Sequence, residues 1–424
     1  MRSKVLWGLA GGVCVVASVV LPLLWQHSLV DLKVYRLGGV TLLDDAAALY
    51  DVRLAGLPFT YPPFAAVVMV PFALLPWSVA VAVWTLGTFV SLIAVWKLST
   101  GNRLASPVLL AVVAGSLVLE PVRETLGFGQ VNLMLCALVL YDLLGPAERR
   151  GRGIWVGLAA GVKLTPLVFF GLLVVTRQWK ALAHAAAAFV VTMLVGFVVT
   201  PHGAKEYWTS LLADTTRIGG LAFSSNQSWN AFLIRLTGDL DGGGLVWLGL
   251  VGLTVAGGLW LARLLWVTGE RVAAVSVTAL VGLLCSPVSW SHHWVWAIPL
   301  GVAVIGRLTK YRVVFGVLWF GVFTIAPIWW PPNHDNRELD WSFAEQFSGN
   351  AYLIAAMVAV VLLTLRLRHN CRSGIDRLDP AECQADLGDI GLVGGPGQAP
   401  VVGGGGGLRR RRGDSAVRVG PHRG

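Results

Sequence analysis

Apolar runs of about twenty residues recur along most of this chain, and each is long enough to cross a bilayer core of about 30 Å. That repetition constrains the fold more than any single motif. A backbone surrounded by lipid must satisfy its own hydrogen bonds, and continuous apolar runs do so as helices. Composition agrees. Of the 424 residues 55% are hydrophobic and only 13% charged, with a mean hydropathy of +0.68; an ordinary soluble domain carries roughly 25% charged residues. The expected fold is all-α, a polytopic integral membrane protein with about eleven to thirteen membrane segments. The first run, 5–25, is too long for the apolar region of a signal peptide and lacks a small-residue cleavage site, so it reads as a retained signal anchor.

Lysine and arginine collect in short segments at 1–4, 96–103, 148–152, 177–180, 269–271, 307–312 and 366–372. Basic loops face the cytoplasm, which places both termini there. It leaves 26–63, 120–132, 201–243, 286–293 and 328–340 outside. The outer set is rich in Asp, Asn, Gln, His and Trp, as a shared external site requires. The net charge of +10 is explained by the basic loops; no stacking platform or groove-reading element accompanies it, so no nucleic-acid partner is expected. The five cysteines, Cys14, Cys136, Cys285, Cys371 and Cys383, follow no metal-ligand or disulfide spacing. Beyond the membrane domain, 1–370, the Gly- and Arg-rich stretch 371–424 has little to bury and reads as a disordered cytoplasmic tail.

The basic flanks make a demand on "GIWVGLAAGVKLTPLVFFGLLVVT", 153–176. Both ends should be cytoplasmic, yet one straight helix would put them on opposite sides. Two half-length helices meeting near the outer leaflet, with Lys163 at the apex and Pro166 behind it, resolve the conflict; the alternative is an intact helix with a snorkelling lysine. The segment 61–77 opens on Pro62 and Pro63 and is too short to cross. It either dips in and returns or lies along the interface.

Several outer residues have the chemistry of a site. Asp31 heads the first outer segment, with Tyr35 and Arg36 about one helical turn away and Tyr61 in the aromatic stretch that follows. An ionised carboxylate there, close to cations, suits a general base; an acid simply facing water is the alternative. In "EPVRETLGFGQVN", Arg123 suits a phosphate, while Gln130 and Asn132 are either helix caps or sugar ligands. Asn226, Gln227, Trp229 and Asn230 in "SSNQSWN" set amides beside an indole, as sugars require. In "SPVSWSHHW", His292 and His293 adjoin tryptophans, and at most one of two adjacent histidines is expected to face the site. A histidine beside an anionic phosphate would be held protonated and stabilise the departing phosphate. No metal set is expected: further ligands are missing around the histidines, and Asp44, Asp45 and Asp51 read as a solvated loop.

Taken in order, "DLKVYRLGG", "FTYPP", "GQVN", "GVKLTP" with "RQWK", "SSNQSWN" and "SPVSWSHHW" resemble glycosyltransferase family 87, the polyprenyl-phosphate-mannose-dependent α-(1→2)-mannosyltransferases of actinobacteria. The resemblance covers roughly 27–330; each motif alone is weak, and their order is what is specific. It implies a GT-C fold in the plasma membrane with an extracytoplasmic site and no cofactor. It implies polyprenyl-phosphate-mannose as donor, and as acceptor a mannose 2-hydroxyl on a lipid-anchored glycan such as a phosphatidylinositol mannoside, lipomannan or lipoarabinomannan. It also implies Asp31 as the base and a histidine at 292 or 293, with Lys163, Arg123 and Arg36 meeting the donor phosphate. Transfer of another lipid-linked sugar, such as arabinose, remains the nearest alternative. A transporter or flippase is more distant, since no internal repeat is visible.

Overall fold

The computed structural model describes residues 29–240, 243–306 and 310–373. The first apolar run and the tail from 374 onward lie outside the described residues. α1 (Val30–Asp44) is followed by a short antiparallel hairpin, β1 (Arg53–Leu54) with β2 (Leu57–Pro58), in which Arg53 faces Pro58 and Leu54 faces Leu57. Then come α2 (Pro63–Leu74), α3 (Trp77–Ser99), α4 (Ser106–Gly115), α5 (Glu120–Phe128), α6 (Asn132–Leu144), α7 (Ile154–Val162), α8 (Val168–Val175), α9 (Trp179–Val199) and α10 (Pro201–Thr209). The remainder is α11 (Trp229–Thr237), α12 (Gly244–Val267), α13 (Arg271–Cys285), α14 (Ala297–Ile305), α15 (Lys310–Ile325), α16 (Phe343–Gly349) and α17 (Ala351–Ser373).

Among the described residues, α3, α9, α12 and the stretch 351–369 of α17 are each long and apolar enough to cross a membrane. A fifth span exists if α4 and α5, bent by 75° at Leu119, count as one. Six shorter apolar helices accompany them. A 3₁₀ turn over Ser291–Trp296 precedes α14, and α2 runs through Pro71 to Leu74. Large apolar side chains on the flanks of α9, α12 and α15 are exposed, for example Val198, Leu245 and Val317. Such faces belong in lipid, and the protein is a multi-pass membrane protein.

The stretch 153–176 is broken, as its charge pattern predicts. α7 ends at Val162; Lys163 is extended (φ −148°, ψ 132°), and a 3₁₀ turn over Thr165–Leu167 leads into α8. Asp142 caps the start of α7, its two carboxylate oxygens accepting from the Gly153 and Val156 N–H groups at 3.0 Å. The helix then lies against α9 through glycines four residues apart. A Cβ on Gly157 would stand 2.2 Å from the Ala185 carbonyl oxygen, and one on Gly161 2.3 Å from the Thr192 hydroxyl. This small-residue stripe brings the two backbones into contact and fixes where Lys163 emerges. Gly157→Val is therefore expected to destabilise the protein by about 1–3 kcal/mol or more through overpacking. Gly252→Val in α12, where an added Cβ meets nothing within 4 Å, serves as the matched control. Thermal unfolding in detergent should show a lowered midpoint for the first variant alone.

The segment 61–77 resolves as α2, packed on α1. Gly39 admits the Met69 carbonyl, 2.7 Å from where its Cβ would be. Arg36 donates to the carbonyls of Phe72, Ala73 and Leu75 at 3.0–3.1 Å, satisfying the last turn of α2 and the residue beyond it.

Candidate active site

Three elements bring a carboxylate, an ammonium and two imidazoles to one cavity of about 430 Å³. Asp31 sits in the first turn of α1, a helix with two acids and two cations that lies outside the apolar spans. Gln130 reaches it because Gly129 ends α5 in the left-handed region (φ +71°), where a Cβ would stand 2.6 Å from that of Leu32. Only glycine permits that approach. The Gln130 amide then donates to Asp31 Oδ2 (2.8 Å), and its carbonyl accepts from the Tyr35 hydroxyl (2.7 Å). The Tyr61 hydroxyl completes the cluster, 3.0 Å from that of Tyr35 and 3.3 Å from the Gln130 amide. Burial pushes the Asp31 carboxyl up to about 6, against the opposing effects of the Gln130 hydrogen bond and the Lys163 charge.

Lys163 enters from the break after α7. Its ammonium donates to Asn132 Oδ1 (2.9 Å), lies 3.0 Å from His293 Nε2, and stands 5.7 Å from the centre of the Tyr61 ring. An ammonium can only donate, so His293 accepts at Nε2 and is neutral here rather than protonated. Both histidines line the cavity, contrary to the expectation of one. They lie on the 3₁₀ turn Ser291–Trp296, their rings edge to face at 4.8 Å. His292 is buried, packs on Phe128 at 5.5 Å, and has both ring nitrogens without a hydrogen-bond partner among the described residues. Its carbonyl is held from behind by Asn132 Nδ2 (2.9 Å) and Thr125 Oγ1 (3.2 Å).

Of the expected site residues, Asp31, Tyr61, Gln130, Lys163, His292 and His293 line the cavity, and Tyr35 and Asn132 stand directly behind it. The others do not line it. Arg36 spends its guanidinium on α2, and Arg123 pairs with Glu124 (3.6 Å) away from the cavity. The amide cluster is not among the cavity-lining residues, and its side-chain hydrogen bonds go elsewhere. Asn226 accepts from the Ser289 N–H (2.8 Å) and donates to the Pro287 carbonyl (3.2 Å); Gln227 donates to the carbonyls of Ser224 (2.8 Å) and Gly349 (2.7 Å). Asn230 also donates to Pro287 (3.3 Å), and the Trp229 indole donates to Thr254 (2.9 Å). The contacts of Asn226 and Asn230 tie down the 286–293 loop that carries the histidines.

Two groups of residues escape the sequence reading. Glu120 is fully buried at the bend before α5, accepting from the Tyr352 hydroxyl (2.9 Å) and the Trp329 indole (3.1 Å). The cavity also has an outer wall from α10 and the turns after it, including Tyr207, Asp214 and Arg217. Glu120, set in an apolar context, was a signal that could have been followed; the outer wall looks in sequence like any solvated connection.

The family model for glycosyltransferase family 87 matches residues 59–287, more than half of the chain. The chain belongs to glycosyltransferase family 87. Among its relatives is a polyprenol-phosphate-mannose-dependent α-(1-2)-phosphatidylinositol pentamannoside mannosyltransferase of Mycolicibacterium smegmatis. It is 35% identical over 376 residues, covering 81% of this chain and 88% of the relative. A polyprenol-phosphate-mannose-dependent α-(1-2)-phosphatidylinositol mannoside mannosyltransferase of Mycobacterium tuberculosis is 33% identical over 408 residues, 89% and 94% of the two chains. No solved structure matches. Membership in family 87 agrees with the helical membrane fold.

Proposed function

We propose that this family 87 enzyme moves mannose from polyprenyl-phosphate-mannose to the 2-hydroxyl of a mannose on a lipid-anchored glycan, forming an α-(1→2) linkage with inversion. Relatives of similar length are named for this donor and for phosphatidylinositol mannoside acceptors. The observation that carries the mechanism is one cavity holding a desolvated carboxylate, Asp31, and a buried ammonium, Lys163.

Asp31 accepts the proton of the attacking hydroxyl. The hydroxyl oxygen forms its bond to C1 of the mannosyl group as the bond from C1 to the phosphate oxygen breaks. The electron pair leaves with polyprenyl phosphate, whose charge grows by one unit. Lys163 meets that charge, and both histidines line the wall beside it. Gln130 orients the base, and Asn132 and His293 aim the ammonium. Both substrates are membrane-anchored, so the enzyme's task is chiefly alignment. The basic loops support an extracytoplasmic site with both termini in the cytoplasm.

The test is a membrane assay with radiolabelled polyprenyl-phosphate-mannose and a short α-mannoside. The expected product releases its label to an α-(1→2)-mannosidase and is absent from membranes lacking the protein. Transfer of arabinose but not mannose, or no transfer at all, would sink the proposal.

A further inference from the structure

The outer wall of the cavity is not used by the chemistry above, yet it is fastened to the catalytic end. Tyr50 joins the two. Its ring stacks on Tyr207 with centroids 5.6 Å apart, its carbonyl accepts from Arg217 Nη2 (2.8 Å), and its hydroxyl donates to the Tyr61 carbonyl (2.8 Å). Asp214 and Arg217 are three residues apart on this wall, and Trp290, next to the histidine turn, lines the same cavity. Gly219 lies alongside Trp290, where a Cβ would be 3.5 Å from the indole.

Size and charge limit what binds there. A cavity of about 430 Å³ is near the lower end of the roughly 300–1,000 Å³ that encloses a drug-sized ligand. Two lipid-linked substrates cannot both fit, so only the reacting sugars enter. The donor carries the phosphate, and the Lys163 ammonium at the catalytic end matches it. The acceptor sugar is neutral and rich in hydroxyls. It calls for a donor and an acceptor side by side with no net charge, and for a flat apolar face. One carboxylate, one guanidinium and one indole supply these.

We propose that Asp214, Arg217 and Trp290 form the acceptor subsite and bind the terminal mannosyl residue of the glycan. This rests on the transfer reading above. Asp214 accepts from the sugar hydroxyls, Arg217 donates to them, and the indole covers the C–H face of the ring. The rest of the glycolipid stays outside, so the enzyme reads the end of its acceptor and not the lipid.

The experiment uses the full-length enzyme in nanodiscs with polyprenyl-phosphate-mannose and a synthetic alkyl α-mannoside. Asp214→Asn and Arg217→Gln are expected to raise KM for the mannoside about tenfold or more, the equivalent of about 1.4 kcal/mol, while KM for the donor holds. Arg217→Lys, which keeps the charge and loses the fork, should recover only part of the affinity. A raised donor KM with an unmoved mannoside KM would overturn the proposal and give Arg217 to the phosphate. Equilibrium binding of the mannoside without donor separates the two readings. If the wild type binds mannoside but transfers no mannose, the transfer reading falls and the subsite stands. If both variants bind it like the wild type, the subsite falls.

Discussion

Asp31→Asn is expected to lower mannosyl transfer by about 10²–10⁴-fold, the usual contribution of a positioned general base, and to leave the fold intact. The two side chains have nearly the same shape, and the amide oxygen can still accept from Gln130. Removing a charge from a desolvated position also relieves a cost instead of adding one. A detergent-purified variant should therefore unfold at or above the wild-type temperature while losing activity. The wild-type pH profile provides a second check. A base works only when ionised, and burial pushes this carboxyl up to about 6. Activity should thus hold above that pH and fall about tenfold per unit below it. An Asp31→Asn enzyme that transfers at the native rate, or a profile flat down to pH 4, would show that the acceptor is deprotonated elsewhere.

How much of this was legible in the sequence depends on what each polar side chain touches. Asp31, Gln130, Lys163 and the two histidines could be found because each is a polar group set against apolar runs, where an unpaired one is costly. The break at Lys163 followed from basic charge on both sides of 153–176. Contacts to main-chain carbonyls leave no such trace. Arg36 looks like a phosphate ligand in "VYR", yet it satisfies the end of α2. Asn226 and Gln227 look like sugar ligands, yet their side chains bond to main chain: Asn226 to Leu221, Pro287 and Ser289, and Gln227 to Ser224 and Gly349. The placement of both histidines on one cavity depends on a 3₁₀ turn that no periodicity announces. Asp214 and Arg217 were invisible for the opposite reason. Charged residues in a polar connection look solvated until Tyr50 is seen to hold Arg217 at the cavity.

Replacing Lys163 by methionine is expected to act twice. In the proposed mechanism the ammonium meets the charge that grows on the leaving phosphate, and loss of one such donor costs about 10²–10³-fold in rate. The same ammonium also holds the Asp31 carboxyl down, opposing desolvation. Without it the carboxyl must rise, so the acid limb of the pH profile should move above 6. A methionine has similar length and keeps the space filled, which separates the loss of charge from the loss of packing. It also leaves Asn132 Oδ1 and His293 Nε2 without the donor they share. Lys163→Arg divides the two effects. Its charge should keep the limb near 6, while a planar fork between Asn132 and His293 cannot reproduce the tetrahedral donor, so the rate should still fall. The measurement is the pH dependence of transfer for both variants beside the wild type. An unmoved limb in the methionine variant would mean that Lys163 and Asp31 do not sense each other across the cavity. An unmoved rate would remove the lysine from the leaving phosphate.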